Sequence, residues 1–143
     1  MNGDGVRFFD TNILVYAEEG QTTEKGRIAG AWVSRCIETG QGRLSSQVLG
    51  EFFVTITRKI ATPLDPETAR RRVELLSCMP VVAIDAPMVL AAIGAMLRYG
   101  ISYWDSLILA AAAASGATVL YSDDLNSGQE YLGLRVENPF ASA

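Results

Sequence analysis

The chain has 143 residues, enough for one domain with a real core and little room for two. Hydrophobic residues make up 49% and charged residues 20%, which excludes extensive disorder, and no apolar run reaches the ~20 residues of a bilayer span. There is no histidine and the net charge is −4, which excludes histidine acid–base chemistry and His-ligated zinc and argues against broad non-specific duplex binding.

In chain order, residues 6–9 read as a strand and 11–17 as a short helix. Residues 22–38 form a longer helix, opened by a Thr22 cap and closed before Gly40. Arg43 and Leu44 make a short strand. The next helix, 46–60, carries Val48, Leu49, Phe52, Phe53, Ile56 and Ile60 at i, i+3, i+4 spacing. Asp65-Pro66, a cap followed by proline at the first helical position, starts a helix to about Ser77. A β-branched strand at 81–84, a helix at 86–99 and a helix at 102–115 follow, the last two ending at Gly100 and Gly116. Residues 118–121 are a strand and 135–137 a last one. Short strands separated by helices predict an α/β fold with a parallel sheet covered on both faces. The N-terminus lacks the apolar region of a signal peptide, so a cytoplasmic location is expected. Cys36 and Cys78 match no metal or redox spacing and read as reduced thiols.

The helix at 102–115 poses a question. It is apolar on nearly every side and should be buried, yet Asp105 sits at its head. Ligands of open parallel sheets bind outside the carboxyl ends of the strands. Asp10 follows the first strand directly, and Asp123 and Asp124 follow the strand at 118–121, so both strands deliver acid to one edge. Asp105 opens the helix leading into that second strand. Glu51 belongs to a polar stripe of Gln47, Glu51, Thr55 and Arg58 on its helix, and Gly50 beside it predicts close approach of another backbone. Each acid also has a plainer duty. Asp105 fits a capping box with Ser102, Asp10 can cap the 11–17 helix, Asp123-Asp124-Leu125-Asn126 is turn-forming, and Glu51 can be a solvated face residue. Asp65 and Asp85 read as caps alone. Taken together the acids change the picture: carboxylates gathered within ~4 Å repel by about 4 kcal/mol per pair at an effective dielectric of 20. A hard dication held by oxygen, Mg²⁺ or Mn²⁺, reconciles such a cluster with folding.

Four segments then resemble those of the PIN-domain nucleases: FFDTNILVYA with Asp10-Thr11-Asn12, SSQVLGEFFVTITRK with Glu51, YWDSLILAAA with Asp105, and VLYSDDLNSG with Ser122 two residues before Asp124. They occur in the family's order over most of the chain and look most similar to the VapC-type toxins of toxin–antitoxin pairs. The resemblance implies one PIN-like domain over 1–143, a doubly wound three-layer α/β/α sandwich, and Mg²⁺- or Mn²⁺-dependent endoribonuclease activity. It implies that Asp10, Glu51, Asp105 and Asp124 are catalytic. Asp10, Asp105 and Asp124 would hold the metal, Glu51 would bind directly or through water, and Asp123 is the alternate to Asp124. Ser122 would support the fourth acid or its water, and Thr11 and Asn12 would hold the Asp10 loop. It also implies an RNA substrate, a cognate antitoxin covering the acidic pocket, and a homodimer.

Arg58 is a candidate for a flanking phosphate. Tyr103 and Trp104 read as helix-packing residues, with base stacking as the alternative, and Arg70, Arg71 and Arg72 as a solvated face. Two other functions compete. A haloacid-dehalogenase-like phosphotransferase would use Asp10 as nucleophile, but Asn12 stands where its second Asp belongs and Lys25 and Lys59 are the only lysines. The other is a non-catalytic metal-binding module.

Overall fold

The computed structural model describes residues 5–141. Its strands are β1 (Arg7–Phe9), β2 (Gly42–Ser45), β3 (Val81–Val82), β4 (Val119–Tyr121), β5 (Glu130–Tyr131) and β6 (Leu134–Glu137). The helices are α1 (Thr11–Ala17), α2 (Glu24–Thr39), α3 (Ser46–Arg58), α4 (Pro66–Leu76), α5 (Ala86–Tyr99) and α6 (Tyr103–Ala114). The strands form one sheet in the order β3-β2-β1-β4-β6-β5, parallel except for β5 against β6, and the helices flank it as an α/β/α sandwich.

The chain runs outward from β1 to β2 and β3, then returns to place β4 on the other side of β1. That reversal is the topological switch point, where a crevice opens beyond the strand ends. β1 and β4 are in register through Phe9 and Tyr121, and the Asp10 N–H donates to the Tyr121 carbonyl at 2.9 Å. The ladder therefore continues one residue past the strand and holds Asp10 against Ser122.

Phe8, Phe9, Leu44, Leu120 and Val136 from the strands are buried with Ile13, Leu14, Val48, Phe52, Ile56 and Leu109 from the helices. Each such side chain contributes roughly 1.5–3 kcal/mol on burial. α6 is buried continuously from Ser106 to Ala112, as its all-round apolar sequence predicts. Among the described residues, no helix is long and apolar enough to cross a membrane.

Three details differ from the sequence reading. The α2 cap is Thr23, whose hydroxyl accepts from Gly26 N–H, because Thr22 ends a 3₁₀ turn at Gly20–Thr22. The close-approach glycine is Gly26, where an added Cβ would lie 2.5 Å from the Gly20 carbonyl, and not Gly50, which faces open space. β5 was not expected; it forms a hairpin with β6 through Leu132 and Gly133, both at positive φ. The Arg70–Arg72 run is a solvated face as expected, with all three side chains exposed in surface ion pairs to Glu67 and Glu18.

Candidate active site

A cleft of about 890 Å³ opens beyond the carboxyl ends of β1 and β4, and Asp10, Glu51, Asp105 and Asp124 all line it. Glu19, after α1, lines it too, so separate segments bring acid to one place. Asp10 caps α1, so it performs its plainer duty and faces the cleft as well. Its Oδ1 accepts from Thr11 N–H at 2.7 Å and its Oδ2 from the Ser122 hydroxyl at 2.8 Å. Asp10 is only 7% exposed. Burial pushes its carboxyl up from 3.8 to about 6; the two hydrogen bonds oppose this, and the charges of Asp124 and Asp105 add to it.

Glu51 is held from two sides. The Thr11 hydroxyl donates to Oε1 at 2.7 Å, and Gln47 Nε2 donates to Oε2 at 3.2 Å. The acid turns to the cleft because α3 packs against α1, with no help from Gly50. Ser102 caps α6 by accepting from Asp105 N–H at 3.1 Å, which leaves the Asp105 carboxylate itself unbonded among the described residues. The Asp124 carboxylate is likewise unbonded there.

The two acids after β4 are placed differently. Asp123 accepts from Tyr16 hydroxyl at 3.2 Å, Lys25 Nζ at 3.2 Å and Asn138 Nδ2 at 3.0 Å, and it is absent from the cleft lining. Asp124 lines the cleft, its N–H donating to the buried Ser122 hydroxyl at 3.1 Å. Ser122 therefore donates to the first acid and reaches the fourth only through backbone. Thr11 bonds Asp10 through its N–H and Glu51 through its hydroxyl, and Asn12 Oδ1 accepts from the Asp123 N–H at 3.3 Å.

Arg58 is not among the cleft-lining residues; Lys59 is. Trp104 also lines the cleft and is 62% exposed, so it is not a packing residue.

The donor set is all oxygen, which suits a hard dication and little else. Two acids stand unbonded, and a third is pushed up chiefly by burial, with a smaller contribution from its neighbours' charge. Asn12 Nδ2 and Gln47 Oε1, both on cleft residues, are buried without a partner. Among the described residues, however, no three acidic side chains are gathered closely enough to form a ready metal cluster.

The fold is similar to three solved structures. A toxin–antitoxin complex from Klebsiella pneumoniae aligns at TM-score 0.68 and 20% identity, covering 94% of this chain and 98% of that one. Mycobacterium tuberculosis VapC20, a Sarcin-Ricin loop cleaving toxin, aligns at TM-score 0.61 and 18% identity, covering 82% and 89%. DNA-bound VapBC from Salmonella typhimurium aligns at TM-score 0.64 and 21% identity, covering 93% and 97%. At such identities the likeness shows the fold alone. No curated protein sequence is significantly similar. The PIN domain family matches residues 7–126, a span that includes Asp10, Glu51, Asp105 and Asp124, and the chain belongs to that family.

Proposed function

We propose that this protein is a divalent-metal-dependent endoribonuclease, the toxin of a toxin–antitoxin pair. The observation that carries the reading is the convergence of Asp10, Glu51, Asp105 and Asp124 on one cleft in a PIN-domain chain without histidine. PIN domains typically use divalent metals. Here Asp10, Asp105 and Asp124 would hold Mg²⁺ or Mn²⁺, with Glu51 binding directly or through water. Asp124 is preferred to Asp123 because the Asp123 carboxylate is taken by Lys25, Tyr16 and Asn138.

A bound dication supplies charge stabilisation at the phosphoryl group and makes water more acidic. The chain's own residues supply the rest. Ser122 and Thr11 N–H fix the two oxygens of Asp10, and Thr11 and Gln47 aim Glu51. A carboxylate of the set takes the proton from the attacking water. With no histidine pair to drive 2′-hydroxyl attack, hydrolysis leaves a 5′-phosphate and a 3′-hydroxyl. The phosphotransferase alternative loses its footing: Lys25 pairs with Asp123, and the family is PIN.

An antitoxin partner is supported by the likeness to structures of toxin–antitoxin complexes. Of the apolar residues on α2, Ala29 is buried in the core, while Ile28 and Trp32 are half-buried and Ala31 is exposed. Homodimerisation is supported by Leu90, Ile93 and Leu97, three exposed apolar residues along one face of α5. The test is cleavage of RNA by the purified protein in Mn²⁺ and in EDTA. Cleavage confined to the metal, with 5′-phosphate ends, is expected; undiminished cleavage in EDTA would refute the assignment.

A further inference from the structure

We propose that Trp104 and Lys59 bind the substrate, Trp104 by stacking on an unpaired base and Lys59 by pairing with a backbone phosphate, so that a single strand lies along α3 across the acids. This deepens the ribonuclease reading and rests on it. Trp104 is the second residue of α6, directly before Asp105, and its side chain is 62% exposed on the cleft wall. Its one ring neighbour is Tyr103, edge-on at 5.0 Å, so a face of the indole stays free. The Trp104 carbonyl accepts from Gln47 Nε2 at 3.3 Å, tying this turn to the head of α3.

Lys59 caps the other end of α3, lines the same cleft, and makes no ion pair among the described residues. The only other lysine, Lys25, is engaged by Asp123. Gln47, Glu51, Thr55 and Lys59 recur every fourth residue and so share one face of the helix. At 1.5 Å per residue, that face runs about 18 Å from the Trp104 end to Lys59, with Glu51 about 12 Å from the lysine. Lys59 therefore stands at the far end of the cleft and is poorly placed to neutralise the acids. An acidic cleft repels a polyanion, and a cation at its exit offsets that repulsion for the part of the strand beyond the metal. Val54 and Ile60 line the wall near Lys59, apolar surface that accepts any base. Stacking needs a base face free of its own helix, so the geometry selects unpaired strands over duplex.

The probe is a pool of random-sequence single-stranded oligoribonucleotides, cleaved in Mn²⁺ by the wild type and by Trp104→Ala, Trp104→Phe, Lys59→Gln and Lys59→Arg. Trp104→Ala should raise the apparent KM about tenfold or more with kcat nearly unchanged, and Trp104→Phe should recover most of it. Lys59→Gln should raise KM and flatten the slope of log KM against log salt by about 0.7, the value for one phosphate on a single strand; Lys59→Arg should keep the slope. A second readout uses Trp32→Phe, which leaves Trp104 as the only indole, combined with Asp124→Asn to suppress cleavage. In Mg²⁺, the single strand should quench Trp104 fluorescence and the matching duplex should not. Wild-type cleavage with unchanged KM in Trp104→Ala and Lys59→Gln overturns the proposal, as does fluorescence unmoved by the strand. A wild type that cleaves no RNA in Mn²⁺ overturns instead the ribonuclease reading beneath it.

Discussion

At the head of α4, both oxygens of Asp65 are taken: Oδ2 accepts from Thr68 N–H at 3.1 Å and Oδ1 from the Thr68 hydroxyl at 2.7 Å. Those bonds hold its carboxyl below the ordinary value. Asp85 does the same work before α5, accepting from Met88 N–H at 3.0 Å. At the head of α6 the capping passes to Ser102, and Asp105, three residues on, keeps an unbonded carboxylate facing the cleft. Helices with like chemistry at their starts therefore carry acids of different kinds. What separates them is whether the helix needs the carboxylate, and a hydroxyl cap is what releases it for other chemistry.

The largest effect that can break this comparison is on catalysis. Asp105→Asn should lower metal-dependent RNA cleavage on the order of 10³-fold or more, while the melting temperature stays close to that of wild type. Asp65→Ala should leave cleavage unchanged. Wild-type rates in Asp105→Asn would show that its free carboxylate has no chemical role.

Much of this contrast is legible in the sequence, because caps are local. Asp65-Pro66 and Ser102-Tyr103-Trp104-Asp105 announce their helices, and both serve as caps, though only half of the Ser102–Asp105 capping box forms because the Asp105 carboxylate does not reach back. Tertiary contacts decided the features that were not legible. Leu132 adopts φ 52° in the β5–β6 turn, a conformation its residue type disfavours, while its N–H donates to the Tyr99 hydroxyl at 3.0 Å and Tyr131 packs edge-on against Tyr99 at 4.9 Å. Thr22 and Thr23 are locally equivalent as caps; the fold of the Gly20 turn onto Gly26 selects the second. In the site, the positions of Asp10, Asp105 and Asp124 were readable from strand ends and a helix start, and that of Glu51 only from the polar stripe of its helix, but the partners were not. That Thr11 reaches Glu51, 40 residues away, depends on how α1 meets α3. The acids also share the cleft without forming a metal cluster, a matter of side-chain placement that no spacing reports.

Asp10 sharpens the comparison from the other side, as an acid that is both cap and cleft residue. Its carboxyl, at about 6, lies above the ordinary 3.8, so the folded state binds this proton more tightly than the unfolded chain. Its contribution to stability is present in full below pH 3.8 and is lost as pH rises through 6; above that, the buried charge costs about 3 kcal/mol by linkage. In EDTA at pH 7.5, Asp10→Asn should therefore be more stable than wild type by up to about 3 kcal/mol, and the gain should vanish near pH 4. Urea titrations at the two pH values measure the difference. Mn²⁺ should then narrow the gap by stabilising the wild type more than the variant. Equal stabilities in EDTA at pH 7.5 would mean that the Asp10 charge is not strained in the fold.

The smallest effect tests the caps directly. Asp65→Ala and Ser102→Ala each remove one side-chain acceptor from a helix start, and each should cost about 1 kcal/mol in urea unfolding. Their consequences for chemistry should differ. Ser102 also offers its carbonyl to the buried Ser106 hydroxyl at 2.8 Å, so loosening this turn disturbs the base from which Asp105 projects. Ser102→Ala should raise the Mn²⁺ concentration needed for half-maximal cleavage several-fold, as losing an orienting partner of a metal-binding group does. Asp65→Ala should leave that concentration where it was, since α4 carries none of the four acids. An identical metal requirement in both variants would mean that the Ser102 cap supports only the helix, and that Asp105 needs no help in facing the cleft.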